Sequence, residues 1–426
     1  MKSLVFLCGI IIFFSISITA QSINGRFSSS LYSFQRYDTV DVSSTYAQTF
    51  QMLNLNINQG NYSLRTYMNF ESVISKDIKN DPMLRFYNLY FEARKILDAA
   101  TLKIGRQPIF NSIVGGIYDG IDLDVKKGDY KITGYYGGNV PGYQKLKLID
   151  DWENNFIYGG KFSTTALKNF QMSLSYVNKN FKAEDYYATR LDAELNPITV
   201  LIRNNSNQYR FATGEINYYL PEELSINTRL DYDLNFAEVS KVEFYGNYDK
   251  LSNLKLNLYY NYREPRIRYN SIFSVFDFGN TQEVEAGADY IINKTFTVSG
   301  KVGDVIYKDE SSQRVTLALA TNYGSLSYRK TFGYEGELDA VSLYTAYSFL
   351  EGLITPSVGL SYTSYKLSTD SDKNNLTTLL AGCNYRPWRL LSFDLQGQFM
   401  NNKIYKNDFR VFFRVNYWFN TLLGLM

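Results

Sequence analysis

The sequence predicts an all-β chain that closes into an antiparallel up-and-down barrel and crosses a membrane with its strands. Three observations carry that prediction. From Ile23 almost to the C-terminus, apolar and polar residues alternate with period two rather than 3.6. Short and long connectors alternate between the strand segments, as tight turns on one side of a membrane and loops on the other would. Tyr (38) and Phe (29) are abundant while Pro (8) is scarce, and the 16% aromatic share suits girdles at the two membrane interfaces.

Residues 1–20 read as a signal peptide. Lys2 gives a positive start, Leu4 to Ile18 form an apolar stretch, and Thr19-Ala20 offers a small-residue cleavage site before Gln21. Leu7 precedes Cys8 where lipidation requires a small residue, so no lipid anchor is expected there. Residues 21–426 then form a single barrel domain. No later run of about 20 apolar residues could cross as a helix, and the mean hydropathy of −0.27 excludes a helical membrane protein. Without Lys2 the formal net charge falls from +2 to about +1, so no overall field favours nucleic acid. Cys383 is left without a disulfide partner and reads as a small wall residue.

The clearest strand is the last. Phe409, Val411, Phe413, Val415, Tyr417 and Phe419 share one face, and Arg410, Phe412, Arg414, Asn416 and Trp418 the other. Leu254, Leu256, Leu258, Tyr260 and Tyr262 alternate in the same way with Lys255, Asn257, Tyr259, Asn261 and Arg263. Leu224, Ile226, Thr228, Leu230 and Tyr232 alternate with Ser225, Asn227, Arg229, Asp231 and Asp233. In a soluble sandwich the apolar face would meet a second sheet. In a membrane barrel it meets lipid, and the charged face lines the lumen.

Short connectors are expected at Asn58–Asn61, Leu97–Ala99, Lys127–Asp129, Leu220–Glu222, Asn293-Lys294, Tyr323-Gly324 and Glu351-Gly352. Longer ones are expected at Lys76–Pro82, Gly138–Asn154, Asn178–Asn207, Glu264–Asn280, Ser368–Asn375 and Asn401–Asn407. Strictly alternating connectors put both chain ends on one side and make the strand number even, about 22 within a range of about 16 to 22. The strand pattern starts so soon after Gln21 that no N-terminal plug domain is expected. A plugless barrel of this size has a wide lumen. Loops folded inward or a partner must narrow it, and the best candidates are Asn178–Asn207 and Glu264–Asn280, which carry the apolar runs Ile198–Ile202 and Ile272–Phe276.

The segment Leu102–Pro108, with Gly105-Arg106-Gln107, followed by Gly115–Gly120 with Asp119-Gly120, resembles a segment of Gram-negative porin-like and alginate-export-type outer-membrane barrels. Gly137-Gly138 after Tyr135-Tyr136 fits the same pattern, and the resemblance covers no more than this part of the chain. It implies that Arg106 and Asp119 lie near a narrowed part of a pore. The alternative is that Arg106 pairs with a carboxylate and Gly105 permits close strand packing. The C-terminal strand also resembles the outer-membrane insertion signal through Phe419, departing from it by the added Asn420–Met426.

The chemistry that is missing narrows function further. The chain has 0 His, which removes Ser-His and Cys-His nucleophiles and imidazole metal or haem ligation. No Cys-x-x-Cys pair and no phosphate-cradling Gly-rich motif occurs. Asp122 with Asp124, and Asp231 with Asp233, each share a strand face at about 7 Å. Lys126 and Arg229 on the same strands mark these pairs as rungs of a lumen charge ladder rather than a glycosidase site. Asp370-Ser371-Asp372 reads as a solvated loop. No enzyme, cofactor or metal is expected.

A passive channel for small polar solutes or ions follows, with weak selectivity because the lumen charges are of mixed sign. Its pore-lining candidates are Arg106, Asp119, Asp122, Asp124, Arg229, Asp231, Asp233, Lys255, Arg410 and Arg414, with Arg65, Glu71, Glu92, Lys103 and Lys131 as further lumen charges. The competing reading is a structural sheath around a partner such as a multihaem cytochrome or a surface complex. Expected partners are outer-membrane lipid, the solutes themselves and the barrel-insertion machinery. A homo-oligomer or a periplasmic partner is compatible with the sequence.

Overall fold

The structure, a computed structural model, describes residues 21–39, 42–75, 83–109, 113–142, 146–181, 186–192, 194–202, 208–269, 278–308, 310–333, 336–366, 371–403 and 406–423. The expected signal peptide and the Ile272–Phe276 run lie outside the described residues.

The chain begins with β1 (Gln21–Thr39), β2 (Val42–Gln59), β3 (Tyr62–Val73), β4 (Met83–Ile96) and β5 (Ala100–Pro108). It continues with β6 (Ile117–Lys127), β7 (Tyr130–Val140), β8 (Phe156–Thr164) and β9 (Phe170–Lys179). A separate hairpin follows, β10 (Tyr186–Leu191) and β11 (Pro197–Ile202). Then come β12 (Tyr209–Leu220), β13 (Leu224–Asp233), β14 (Glu238–Leu251), β15 (Leu254–Arg263), β16 (Thr281–Ile291), β17 (Phe296–Tyr307) and β18 (Glu310–Thr321). The wall is completed by β19 (Gly324–Phe332), β20 (Gly336–Ala346), β21 (Ile354–Lys366), β22 (Asn374–Trp388), β23 (Leu391–Asn401) and β24 (Asp408–Leu423).

All strands but β10 and β11 form one 22-stranded antiparallel sheet. It closes where β1 pairs with β24, from Gln21 opposite Leu423 to Ser33 opposite Val411. β9 pairs directly with β12, so the hairpin stands outside the wall. Closure leaves no free sheet edge, which is what lets strands cross a membrane.

Alternation decides the faces. Leu256 (40% exposed), Leu258 (46%), Leu360 (46%) and Leu395 (52%) stand outward, while their polar neighbours point in. An Arg on such an outward row costs about 2–4 kcal/mol at mid-bilayer, so the register of every strand is tied to the lipid. Cys383 is exposed, on the parity of the outward Tyr385.

Connectors sort by end. Residues 60–61, 97–99, 128–129, 252–253 and 389–390 turn tightly at the end where β1 starts and β24 stops. Gly60 (φ 56°) and Gly128 (φ 57°) adopt the left-handed conformation that such turns need. The long connectors 109–116, 141–155, 180–208 and 264–280 all leave from the other end. That end also carries short connectors at 40–41 and 308–309, so loop length alone does not mark the side. β7 runs through Val140 and β9 through Lys179, each taking residues that the sequence pattern places in loops.

Candidate functional site

The inward face is the candidate site, and it is not uniform around the barrel. From β3 to β18 it is ion-paired. Arg65 lies 3.0 Å from Glu92, which also meets Arg94 at 3.4 Å. Lys103 bridges Asp122 (2.9 Å) and Asp124 (3.4 Å), and Lys131 meets Asp124 at 3.0 Å. Glu215 joins Lys161 (2.6 Å) to Arg229 (3.5 Å), which reaches Asp231 at 3.0 Å. Lys241 meets Glu243 at 2.6 Å. Glu285 holds Lys301 (3.0 Å) and Arg314 (2.9 Å), and Arg314 also pairs with Glu283. Each link joins inward residues on the same or nearby strands, where opposite charges support one another.

From β20 to β23 the same face is mostly neutral, with Asp394 and, at the turn end, Arg386 among its charges. Alternation with the outward Val341, Leu360, Leu379 and Leu395 points Ser342, Ser357, Ser361, Thr378, Gln396 and Gln398 inward. The carboxylate on this arc, Asp394, accepts from Asn384 and, at 2.8 Å, from Asn416.

The ion-paired side is also the narrowed side. Residues 113–116 lie inside the barrel. Ile113 and Val114 pack with inward-facing Tyr118, Ile157, Val177 and Phe211 in a buried apolar cluster. Lys179 Nζ donates to the Gly115 carbonyl at 2.6 Å, the Arg266 guanidinium donates to the Ile113 carbonyl, and Ile109 N donates to Gly116 O at 2.9 Å to close the neck. Beside it lies a recess of about 400 Å³ whose lining includes Tyr90, Lys103, Tyr118, Asp122 and Tyr135.

Beneath this loop adjacent strands approach closely. Gly105, Gly120 and Gly137 stand opposite one another on adjacent strands. A Cβ on Gly105 (φ +130°) would meet Leu89 O at 2.4 Å, and one on Gly120 would meet Tyr136 O at 2.2 Å. Backbone touches backbone here, so Gly105 does allow close strand packing.

The two loops expected to fold inward are described in part, and two features of them are seen. Of Glu264–Asn280, Arg266 reaches the lumen. In Asn178–Asn207 the apolar run Ile198–Ile202 is one strand of the β10–β11 hairpin, and Tyr187, Leu191 and Ile198 are exposed rather than packed as a plug. The narrowing loop was not among the expected ones. Its signal was the apolar pair Ile113-Val114 set between a strand end and Gly115-Gly116.

The sequence-predicted residues separate into groups. Asp122, Asp124 and Arg229 face the lumen within the ladder. Asp231 also joins it but is 0% exposed, held by Arg229 and by Thr213 Oγ1 at 2.6 Å. Asp233 is buried and accepts from Asn235 N at 2.8 Å, which makes it a turn-bracing carboxylate. Lys255 is inward but at the turn end, 3.6 Å from Asp249. Arg410 is turned onto the buried Asp408 at 2.7 Å. Arg414 lies 4.6 Å over the Phe412 ring and 3.3 Å from Ser30 Oγ.

Arg106 and Asp119 require a correction. They pair at 2.7 Å and are each 3% exposed, but they stand on the outward parity of Ile104 and Ile121, away from the pore. Residues 146–155 fold over them. Arg106 donates to Lys147 O at 3.2 Å, and Ile149 N donates to Asp119 Oδ2 at 3.0 Å. Trp152 sets its ring edge against the outward Tyr136 at 5.2 Å. An ion pair on this face needs such a cover, because lipid offers it no hydrogen bonds.

No family model and no curated protein matches the chain. Its fold is similar to that of the translocation pore of the P pilus usher PapC (TM-score 0.47, 9% identity, 94% of this chain and 99% of that chain). It is also similar to the outer membrane protein OpdK (OccK1) of Pseudomonas aeruginosa (TM-score 0.43, 11% identity, 94% and 99%). A BenF-like porin from Pseudomonas fluorescens follows (TM-score 0.39, 9% identity, 95% and 99%). With its closed wall of 22 strands, apolar outside and polar within, the chain is a multi-pass outer-membrane β-barrel.

Proposed function

We propose that the barrel is a porin-like channel through which small polar solutes or ions diffuse without an energy source. One observation carries this reading: a continuous polar inner wall, ion-paired on one arc and neutral on the other, narrowed by the chain's own loop. Paired charges orient water and solutes across the lumen without giving the pore a single sign. The neutral arc offers hydroxyl and amide partners that exchange readily with those of a solute. The sheath reading has less support, because Ile113 and Val114 occupy lumen space that a partner protein would need.

Planar-bilayer recording of the purified mature chain tests the proposal. Stable unit conductance steps with weak ion selectivity are expected. Correctly folded barrels that insert and give no steps would refute it.

A further inference from the structure

The recess beside the narrowing loop, about 400 Å³, has a lining that the ion-pair ladder does not explain. We propose that it binds a neutral sugar, held by stacking of the sugar ring on Tyr135 and by hydroxyl contacts to the polar side chains around it. This deepens the channel reading and rests on it only for the sugar's route through the membrane.

Shape comes first. On β9 the lining runs from Val177, under the loop, to Gln171, nearer the turn end. That stretch spans about 20 Å at ~3.3 Å per residue, so the recess is an elongated groove in the wall. Its volume falls in the range of small-molecule sites, roughly 300–1,000 Å³. Tyr135 on β7 stands directly opposite Gly159 on β8. A Cβ on Gly159 would come within 2.5 Å of the Tyr135 hydroxyl oxygen and 2.8 Å of its Cζ. The glycine therefore lets the ring lie along the wall instead of standing across the pore. Tyr135 is half-buried and lines the groove. Its electron-rich ring attracts the slightly positive C–H bonds on the flat side of a sugar ring.

The polar lining is a second, independent observation. Tyr90, Ser163, Gln171 and Ser175 line the groove, and among the described residues their side chains have no hydrogen-bond partner. None of the four is buried, and their polar atoms stay open to the lumen, within reach of a ligand. The charges of the lining, by contrast, are all engaged. Lys103 and Lys131 answer Asp122 and Asp124, and Lys161 answers Glu215. An ionic solute would have to break these pairs, and an apolar one would leave the hydroxyls and the amide unbonded. A neutral polyol disturbs no pair, and its hydroxyls both donate and accept, as those of Tyr90, Ser163 and Ser175 do. A flat ring surface beside free hydroxyl and amide groups, with every charge answered, is the chemistry that recognises a neutral sugar.

The test is titration calorimetry of the folded wild-type barrel in a detergent without a sugar headgroup, run beside bilayer recording of the same preparation. The probes are maltose, cellobiose, sorbitol, benzyl alcohol and acetate. Sorbitol has the hydroxyls without a ring, benzyl alcohol a ring with one hydroxyl, and acetate a charge. One or both disaccharides are expected to bind about tenfold or more tightly than each of the other three. Tyr135→Leu should weaken the preferred sugar about tenfold, and Tyr135→Phe, which keeps the ring, should stay within about threefold of wild type. Gln171→Ala should weaken it about threefold, and it decides the matter if Tyr135→Leu does not fold. Folding is verified by heat-modifiable gel mobility. No preference for either disaccharide, or an unchanged affinity in folded Tyr135→Leu or Gln171→Ala, would overturn the proposal. A barrel that conducts but prefers neither sugar loses this site and keeps the channel reading. One that binds sugar but does not conduct keeps the site and loses the channel.

Discussion

The two arcs of the lumen wall solve the same problem differently. From β3 to β18, charged side chains satisfy one another and brace a loop that crosses into the pore. From β20 to β23, small neutral residues leave the wall bare. In the first arc most charged side chains have a partner to lose, so their contacts are specific. In the second arc the inward side chains are short and mostly uncharged, so a substitution there breaks no ion pair and leaves room for a solute. The difference teaches that charge in this lumen is as much structural as functional.

The largest expected effect tests the structural half. Asp231→Ala on the ion-paired arc removes a fully buried partner of Arg229 and Thr213, and about 3–5 kcal/mol of stability should be lost. Ser361→Ala on the neutral arc should change stability by under about 0.5 kcal/mol. Urea unfolding in lipid vesicles reads both, and equal losses would erase the distinction between the arcs. Next in size is the outer face. Leu256→Arg should impair insertion by about 2–4 kcal/mol, while Lys255→Arg is tolerated. Comparable yields of folded barrel from the two would mean that the faces are reversed.

A smaller effect is expected at the narrowing loop of the ion-paired arc. Replacing Ile113 and Val114 together by Ser removes the apolar anchor of the narrowing loop, and unit conductance should rise about twofold or more as that constriction loosens. No change would place the constriction elsewhere. The smallest change is Ser361→Asp, a charge added to the neutral arc. It should shift the reversal potential towards cation selectivity and leave stability almost untouched. A melting shift as large as that of Asp231→Ala would show that the neutral arc is packed after all.

The wall was legible in the sequence because alternation is local. Leu254 to Arg263 show both faces of β15 without any knowledge of neighbours, and short polar connectors mark where strands reverse. The contents of the pore were harder to read. Arg106 and Asp119 look like pore charges by residue type, yet each lies two positions from an outward isoleucine, Ile104 or Ile121, and that parity already gave their direction. What could not be read is their cover, since the contacts from Lys147 and Ile149 reach back across 41 and 30 residues of chain. The inward position of 113–116 was hidden for the same reason. Ile113 acquires a binding place only when β6, β8, β9 and β12 bring Tyr118, Ile157, Val177 and Phe211 together.

The central claim is that one face of each strand meets lipid and the other meets water. Single cysteines placed along β21 in a Cys383→Ser background test it most directly, with the barrel in vesicles and a membrane-impermeant maleimide as probe. Positions 357, 361 and 363 should label rapidly and positions 358, 360 and 362 slowly. Labelling that shows no two-residue period, or the opposite phase, would contradict the account.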